Sequence, residues 1–476
     1  MDGDDGAVRV VVLPPPGMGH LIPFGELAKK LVSRHSISVT FITFSKFASK
    51  AQKAFFDALP PTITSIHLPP DSLADIPSDA RIETRLSIAT LRSLPALRSI
   101  LQTLQQNAHV VAFIADLFTT DAFTVSKQLG IPSFLFFPSN LFTLSLFLHL
   151  PELDASTTCE FRDLPEPLQL PGCVPMPGSE LLHPIQDRSN DCYKWMVHHG
   201  RRFRDADAIL VNTFKDIEQE TAKIINKEDI KWPPVYLVGP LIQSCSPDIE
   251  LVNCLSWLDK QPKESVLYVS FGSAGRLTCS QMKELACGLE MSGQRFLWVV
   301  RTPSDIESDA NYFNSMIIDD PVAFLPEGFV ERTKNVGLLV PSWAPQVQVL
   351  AHGATGGFLS HCGWNSTLES VMHGVPMIAW PLHAEQRMNA VMLTEVVKVA
   401  LRPVVAADGI YKSEEIAKVV KALMMEGEEG KCVREKAKEL HVGGTRALME
   451  DGDSCQAIGE LANKWTSKVL TSVHDS

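Results

Sequence analysis

Short β-branched runs alternate with amphipathic stretches twice along this chain, and that rhythm is the pattern of parallel strands covered by helices. In the first half, residues 8–13, 38–44, 110–117, 131–137, 208–214 and 235–240 read as strands, and residues 22–33 as the clearest helix. The polar, non-periodic stretch 241–253 reads as a linker. The rhythm then restarts, with strands at 265–270, 296–300, 337–340, 357–360 and 377–380 and helices at 280–291, 365–372, 386–399 and 413–425. Thr278 with Gln281 offers a capping box for the first of these helices. The expected organisation is α/β: one domain over 1–246, a second over 254–452, and a closing helix within 453–476 that packs back on the body. Two such domains facing each other would put their strand ends around one cleft, where a ligand can touch both.

Composition removes several alternatives. The 476 residues are 45% hydrophobic and 21% charged, near globular averages, with a net charge of −12 and no basic stripe of the kind that tracks nucleic acid. Ten cysteines never form a C-x-x-C pair, which points to reduced thiols in the cytoplasm rather than disulfides or a zinc site. Asp2, Asp4 and Asp5 are the reverse of a signal peptide's basic start. Residues 128–151 carry no charge and are long enough to cross a bilayer, but Pro132, Pro138, Ser139 and Asn140 divide them into a strand and a short helix at 141–150, so no integral membrane contact is expected.

The strongest chemical signal spans Trp343 to Gln386. It runs Trp343-Ala344-Pro-Gln346, then His361-Cys-Gly363-Trp364-Asn365-Ser366-Thr-Leu-Glu369, then Trp380-Pro-Leu-His383-Ala-Glu385-Gln386. A buried strand up to Ser360, a tight turn at Gly363 and N-cap types at Asn365 and Ser366 open a helix that Gly374 and Pro376 end. The start of such a helix offers backbone N–H groups and a positive dipole end to a phosphate. His361 can donate to that phosphate, and Glu369, a turn or so further on, can accept from two ribose hydroxyls. Trp343 before a proline suits the face of a planar base, with the Ala344 backbone to read its edge. Gln346 can reach the ribose, and Glu385 with Gln386 suits vicinal hydroxyls of a hexose.

A second constellation is Pro14-Pro-Pro-Gly-Met-Gly-His20, directly after the first strand, with Asp116 at the end of a later strand. Gly17 and Gly19 do not complete a dinucleotide fingerprint, because position 22 is Ile22. Asp2-Gly-Asp4, Asp205-Ala-Asp207 and Asp451-Gly-Asp453 read as solvated turns, and the adjacent His198 and His199 as pointing apart on a helix, so no metal is expected. The residue two before Ser273 is Phe271, which removes a hydrolase nucleophile elbow.

The block from Trp343 to Gln386 resembles the nucleotide-sugar signature of plant family 1 UDP-glycosyltransferases. The likeness extends through Phe134-Leu-Phe-Phe-Pro138, Ile209-Leu-Val-Asn-Thr-Phe214, Pro234-Val-Tyr-Leu-Val-Gly-Pro240 and Tyr268-Val-Ser-Phe-Gly-Ser273. Cys159-Glu-Phe-Arg-Asp-Leu-Pro-Glu-Pro and Leu170-Pro-Gly-Cys-Val-Pro175 look most like the hydroquinone glucosyltransferase (arbutin synthase) branch, which acts on small phenols. The resemblance implies a GT-B fold, two Rossmann-like domains facing each other across a cleft, with the acceptor bound by the first and the UDP-sugar by the second. It implies that Trp343 stacks on uracil, Gln346 and Glu369 hold ribose, Ser273, His361, Asn365 and Ser366 serve the diphosphate, and Glu385 and Gln386 bind the sugar. A final Gln in the block goes with glucose, whereas Glu385 stands where many relatives carry Asp.

The same resemblance makes His20 and Asp116 the catalytic dyad of an inverting, metal-independent transfer from UDP-glucose, a cosubstrate rather than a resident cofactor, to a small hydroxylated aromatic acceptor. Topology places Phe118, Ser139 and Asn140 near that acceptor. A monomer is expected. Two rivals share the architecture: a UDP-sugar epimerase or hydrolase, and a nucleotide-sugar sensor without catalysis.

Overall fold

The computed structural model describes residues 8–45, 49–70, 73–77, 79–227, 232–243, 252–305, 320–425 and 427–474. Runs such as Val10-Val-Val-Leu13 and Phe134-Leu-Phe-Phe137 are apolar on both sides of the pleat, so they are stable only inside a sheet covered on both faces. The chain forms two all-parallel sheets, one in each of two compact units.

The first unit contains the residues up to Ser179, Pro184–Ile242 and those from Arg446 onward. Its strands are β1 (Val8–Leu13), β2 (Ser38–Phe44), β3 (Ile63–Leu68), β4 (His109–Asp116), β5 (Ser133–Phe137), β6 (Ala208–Val211) and β7 (Val235–Leu237), in the order β3-β2-β1-β4-β5-β6-β7. The order reverses direction between β1 and β4, which makes the carboxyl ends of those two strands the topological switch point. One core joins Val10, Val12, Phe41, Ile114 and Phe136 of the sheet to Phe24, Leu27 and Leu31 of the helix Met18–His35. The same core takes Ile458, Leu461, Ala462 and Trp465 from the final helix, Asp453–His474.

The second unit comprises Glu180–His183 and Gln243–Thr445. Its strands are β8 (Val266–Ser270), β9 (Arg295–Val300), β10 (Gly337–Pro341), β11 (Thr355–Ser360), β12 (Met377–Ala379) and β13 (Ala400–Leu401), in the order β10-β9-β8-β11-β12-β13. Here the switch point lies between β8 and β11, whose last residues, Ser270 and Ser360, are register partners. Leu285 and Leu289 of the helix Cys279–Ser292 and Val420 and Leu423 of the helix Ser413–Met424 share a core with Leu267, Trp298 and Leu359 of the sheet.

Several elements differ from the sequence reading. β3 has no signal as an apolar run because its Thr64, Ser65 and His67 are exposed on an edge strand. The helix expected over 141–150 runs on through Pro151 to Ser156, and its packing against the helix Asp191–Arg202 outweighs the missing N–H. The helix expected over 386–399 is α-helical only over Gln386–Val391 and passes into a π turn, Met392–Val396. Half of the capping box forms: Thr278 accepts from the Gln281 amide, but the Gln281 side chain bonds both the N–H and the carbonyl of Tyr411. Most of the expected linker and the motif Asp2-Gly-Asp4 lie outside the described residues. Among the described residues no helix is long and apolar enough to cross a membrane, and the nine described cysteines are all free.

Candidate active site

In the first unit the site forms where β1 and β4 end. Gly17 has φ 141°, a conformation that L side chains rarely adopt, and it lets the chain leave β1 and begin the helix Met18–His35 within a few residues. His20 therefore sits in the first helical turn. Its Nδ1 lies 2.8 Å from Oδ2 of Asp116, the last residue of the neighbouring strand.

The Asp116 side chain is fully buried, whereas that of His20 keeps 20% exposure, so one partner is anchored and the other faces solvent. Asp116 Oδ1 accepts from the Phe118 N–H at 3.1 Å. The Thr119 hydroxyl accepts from the Asp116 N–H and donates to the Leu13 carbonyl, tying the ends of β4 and β1 together. A carboxylate held at Nδ1 favours the tautomer that carries its proton there and puts the accepting lone pair on Nε2.

Phe118 packs beside the imidazole with ring centroids 5.7 Å apart, and its other neighbour is His199 at 6.2 Å, edge-on. Burial pushes His199 down to about 3. The neutral ring meets the hydroxyls of Ser87 and Thr120, one at each nitrogen. Ser139 and Asn140, the other two acceptor candidates, are both buried, and the Asn140 carbonyl oxygen caps the helix Leu141–Ser156 through the Thr143 N–H. Asn140 thus has a capping role that the sequence reading did not give it.

His198 and His199 do not point apart as expected: with Asp121 they bring one ligand atom each within 4.8 Å of one another. Those groups already serve each other, since Asp121 accepts from His198 and pairs with Arg202, whose fixed positive charge opposes a cation there. Of the D-x-D motifs, Asp205 pairs with Arg202 and Asp207 accepts from the Ser133 N–H.

In the second unit, the loops after β8 and β11 bring Ser273 and His361 to the switch point. The His361 ring is packed between two glycines. A Cβ at Gly272, whose φ is +72°, would lie 2.6 Å from the ring, and one at Gly363 would lie 2.4 Å from Nε2. Burial, reinforced by nearby His383 and Arg301, pushes the imidazole down to about 3, so the ring is neutral near pH 7. Its Nδ1 is buried with no hydrogen-bond partner.

The helix Trp364–Met372 is capped by Gly363, with no side-chain cap. Asn365 and Ser366 are therefore not the caps the sequence suggested but occupy the first turn of the helix, whose N-terminal end carries the positive dipole that suits a phosphate. Trp364 is 3% exposed and belongs to the interior, so only its backbone can face the site. Trp343, by contrast, is 53% exposed, a large aromatic surface on no core. Ala344 beside it is buried.

Gln346 links the rest. Its amide nitrogen donates to Ser366 Oγ at 2.8 Å and to Glu369 Oε2 at 2.6 Å, while its oxygen accepts from the Tyr268 hydroxyl at 3.4 Å. Burial pushes the Glu369 carboxyl up to about 7, although the Gln346 hydrogen bond favours its charged form. Gln386 receives the Leu382 and His383 N–H groups on its oxygen, both at 2.9 Å, which leaves its amino group as the part able to bind something else. Asn389 spans the Cys362 carbonyl and Glu385. The sequence reading missed Asn389, although its i, i+4 spacing from Glu385 on a helix was the available signal.

Backbone strain marks the same loops. Six described residues other than glycine have positive φ, and three of them, Ser342, Cys362 and Ala384, precede Trp343, Gly363 and Glu385. Such conformations cost about 1 kcal/mol or more each and persist where surrounding structure enforces them, most often at functional sites.

Comparison with known proteins is consistent with this geometry. A family model described as UDP-glucoronosyl and UDP-glucosyl transferase matches residues 244–430. The hydroquinone glucosyltransferase of Rauvolfia serpentina is 53% identical over 97% of this chain and 98% of its own. The structure of Phytolacca americana UGT2 with UDP-2fluoro-glucose and pterostilbene superposes with a TM-score of 0.90 at 49% identity, covering 97% of this chain and 100% of that one. A Polygonum tinctorium UDP-glucosyltransferase capable of glucosylating indoxyl, in complex with 3,4-dichloroaniline, reaches a TM-score of 0.91 at 48% identity over 97% of this chain and 99% of the other.

Proposed function

The chain belongs to the UDP-glucoronosyl and UDP-glucosyl transferase family, a UDP-glycosyltransferase of GT-B type, and on that premise we propose that it transfers glucose from UDP-glucose to the hydroxyl of a small phenol, giving a β-glucoside. The observation that carries the proposal is the 2.8 Å contact between His20 Nδ1 and Asp116 Oδ2 at the first unit's switch point. His20 Nε2 takes the proton of the acceptor hydroxyl as that oxygen bonds to the anomeric carbon and the bond to the UDP oxygen breaks. Asp116 stabilises the imidazolium formed, and UDP leaves with the electron pair. Attack opposite the leaving group inverts an α-linked donor.

The donor falls to the second unit: Trp343 against the uracil, Gln346 and Glu369 at the ribose, Ser273, His361, Asn365, Ser366 and the Gly363–Trp364 backbone around the diphosphate, and Glu385 with the Gln386 amino group at the hexose. Phe118 walls the acceptor, and the phenol class is supported by the relative that is a hydroquinone glucosyltransferase. Ten cysteines without a pairing pattern support a reducing compartment, the cytoplasm. Incubation with UDP-glucose and hydroquinone, followed by NMR of the product, tests the reaction. A β-linked phenyl glucoside is expected, and UDP release that ignores the phenol would favour a hydrolase or epimerase instead.

Donor binding should depend on pH through Glu369. Its raised carboxyl, near 7, is protonated in the free protein below that pH, and a protonated acid loses acceptor capacity for the ribose hydroxyls. KM for UDP-glucose should therefore rise roughly five- to tenfold from pH 8 to pH 6, and Glu369→Gln should flatten that slope. The stability contribution runs the opposite way: a raised carboxyl favours the fold below its unfolded value of 4.5 and loses that advantage as pH rises through about 7.

Gly363→Ala tests the packing of His361. Gly363 has φ −61°, which any residue can adopt, so the substitution acts only through the Cβ placed 2.4 Å from Nε2. The Gly272 backbone approaches the same edge of the ring, where a Cβ would also lie 2.6 Å away. KM for UDP-glucose should rise about tenfold or more, in line with the cost of overpacking. An unchanged KM would show that the imidazole can yield.

A further inference from the structure

We propose that Arg301, with Arg276 as the outer partner, supplies the positive charge that holds the donor diphosphate. This rests on the donor reading above and reassigns a part that sequence alone gave to His361. The imidazole is neutral near pH 7, so it can offer a hydrogen bond but no charge. The dipole of the helix Trp364–Met372 is equivalent to about half a charge. A diphosphate in a site with no metal requires more than that.

Arg301 directly follows β9, which lies beside β8 in the sheet. Its Nη1 donates to the Ser273 carbonyl, in the loop where the diphosphate is expected. Arg276 stands three residues further along that loop, and its charge reaches Arg301. Burial first, and Arg276 second, hold the Arg301 guanidinium below its usual range, so both its desolvation and its neighbour oppose the charge. Among the described residues no carboxylate forms an ion pair with either arginine, although this chain carries a net charge of −12.

A half-buried guanidinium beside a second cation, with no carboxylate paired to it among the described residues, is an unfavourable arrangement for a protein to keep. An anion of two charges arriving next to it adds an attraction to both guanidinium groups that offsets their desolvation and mutual repulsion. Arg301 also has donors left over after its bond to Ser273, in the planar fork that suits phosphate oxygens. The sequence reading passed over both residues because each is a lone arginine in a loop. Only the pairing of β8 with β9 brings them together.

Calorimetric titration of UDP, UMP and uridine into the full-length wild type and the variants Arg301→Gln, Arg301→Lys and Arg276→Thr tests the assignment, with thermal melts as the check on folding. Arg301→Gln keeps a donor for Ser273 but loses the charge. It should weaken UDP at least about tenfold, leave uridine unchanged and reduce the salt dependence of UDP binding. Arg301→Lys should recover part of the loss, and Arg276→Thr should cost a few-fold and also flatten the salt dependence.

UDP affinity unchanged in Arg301→Gln, or UDP and uridine weakened equally, would overturn the proposal, the second result marking a loop support. If Arg301→Gln fails to fold, unaltered salt dependence in Arg276→Thr overturns the shared-charge site. A wild type that binds neither UDP nor uridine would bring down the donor reading itself. A wild type that binds both, with the arginine variants unaffected, brings down the arginine assignment alone.

Discussion

His20→Ala should lower kcat for glucosyl transfer by about 10²- to 10⁴-fold, the usual worth of a positioned general base. KM for UDP-glucose should change little, because the proposed donor contacts all belong to the second unit. The loss should be accompanied by a changed pH profile: without the imidazole, the rate should climb with pH as the phenol itself ionises. Asp116→Asn should follow within an order of magnitude. An amide can donate to His20 Nδ1, which would move the ring proton to Nε2 and remove the lone pair that accepts the substrate proton. The amide also replaces a fully buried carboxylate that accepts the Phe118 N–H, so the geometry should hold while the chemistry fails. A His20→Ala enzyme within threefold of wild type would remove the dyad from the mechanism.

The second large effect concerns stability. Trp465, 3% exposed on the final helix, packs edge-on against Phe134 of β5 with ring centroids 5.2 Å apart, inside the core of the first unit. Trp→Ala in a core costs about 3–5 kcal/mol. The indole N–H is buried without a partner, so its removal returns about 1 kcal/mol. A net destabilisation of about 2–4 kcal/mol is expected in urea unfolding, large against the stability of a typical domain. A loss under about 1 kcal/mol would show that the helix contributes little to that core.

How far the site was legible in the sequence depends on whether a residue's role is local. Trp343, Gln346, His361 and Glu369 were read from one contiguous stretch because a strand, a turn and a helix start are local structures with local signals. Gln386 was singled out in the same stretch, but its hydrogen bonding was not foreseen: its oxygen is committed to two backbone amides of its own loop. Asn365 and Ser366 were misplaced by two or three positions, since a glycine cap has no side-chain signature. Asn140, placed near the acceptor by topology, also caps a helix through its side-chain oxygen, a role that only the structure shows. The Trp364 side chain is core, which leaves its backbone alone for the site.

The sequence by itself determined the class of fold and the type of donor site, because hydrophobic period, turn residues and helix starts act within a few positions of the chain. Only the tertiary structure decided which strand ends are neighbours. His20 and Asp116 are 96 positions apart and meet because β1 pairs with β4. Arg301 reaches Ser273 because β9 lies against β8. Strand order is set by the burial of whole faces and by non-local pairing, and no short window of residues carries that information.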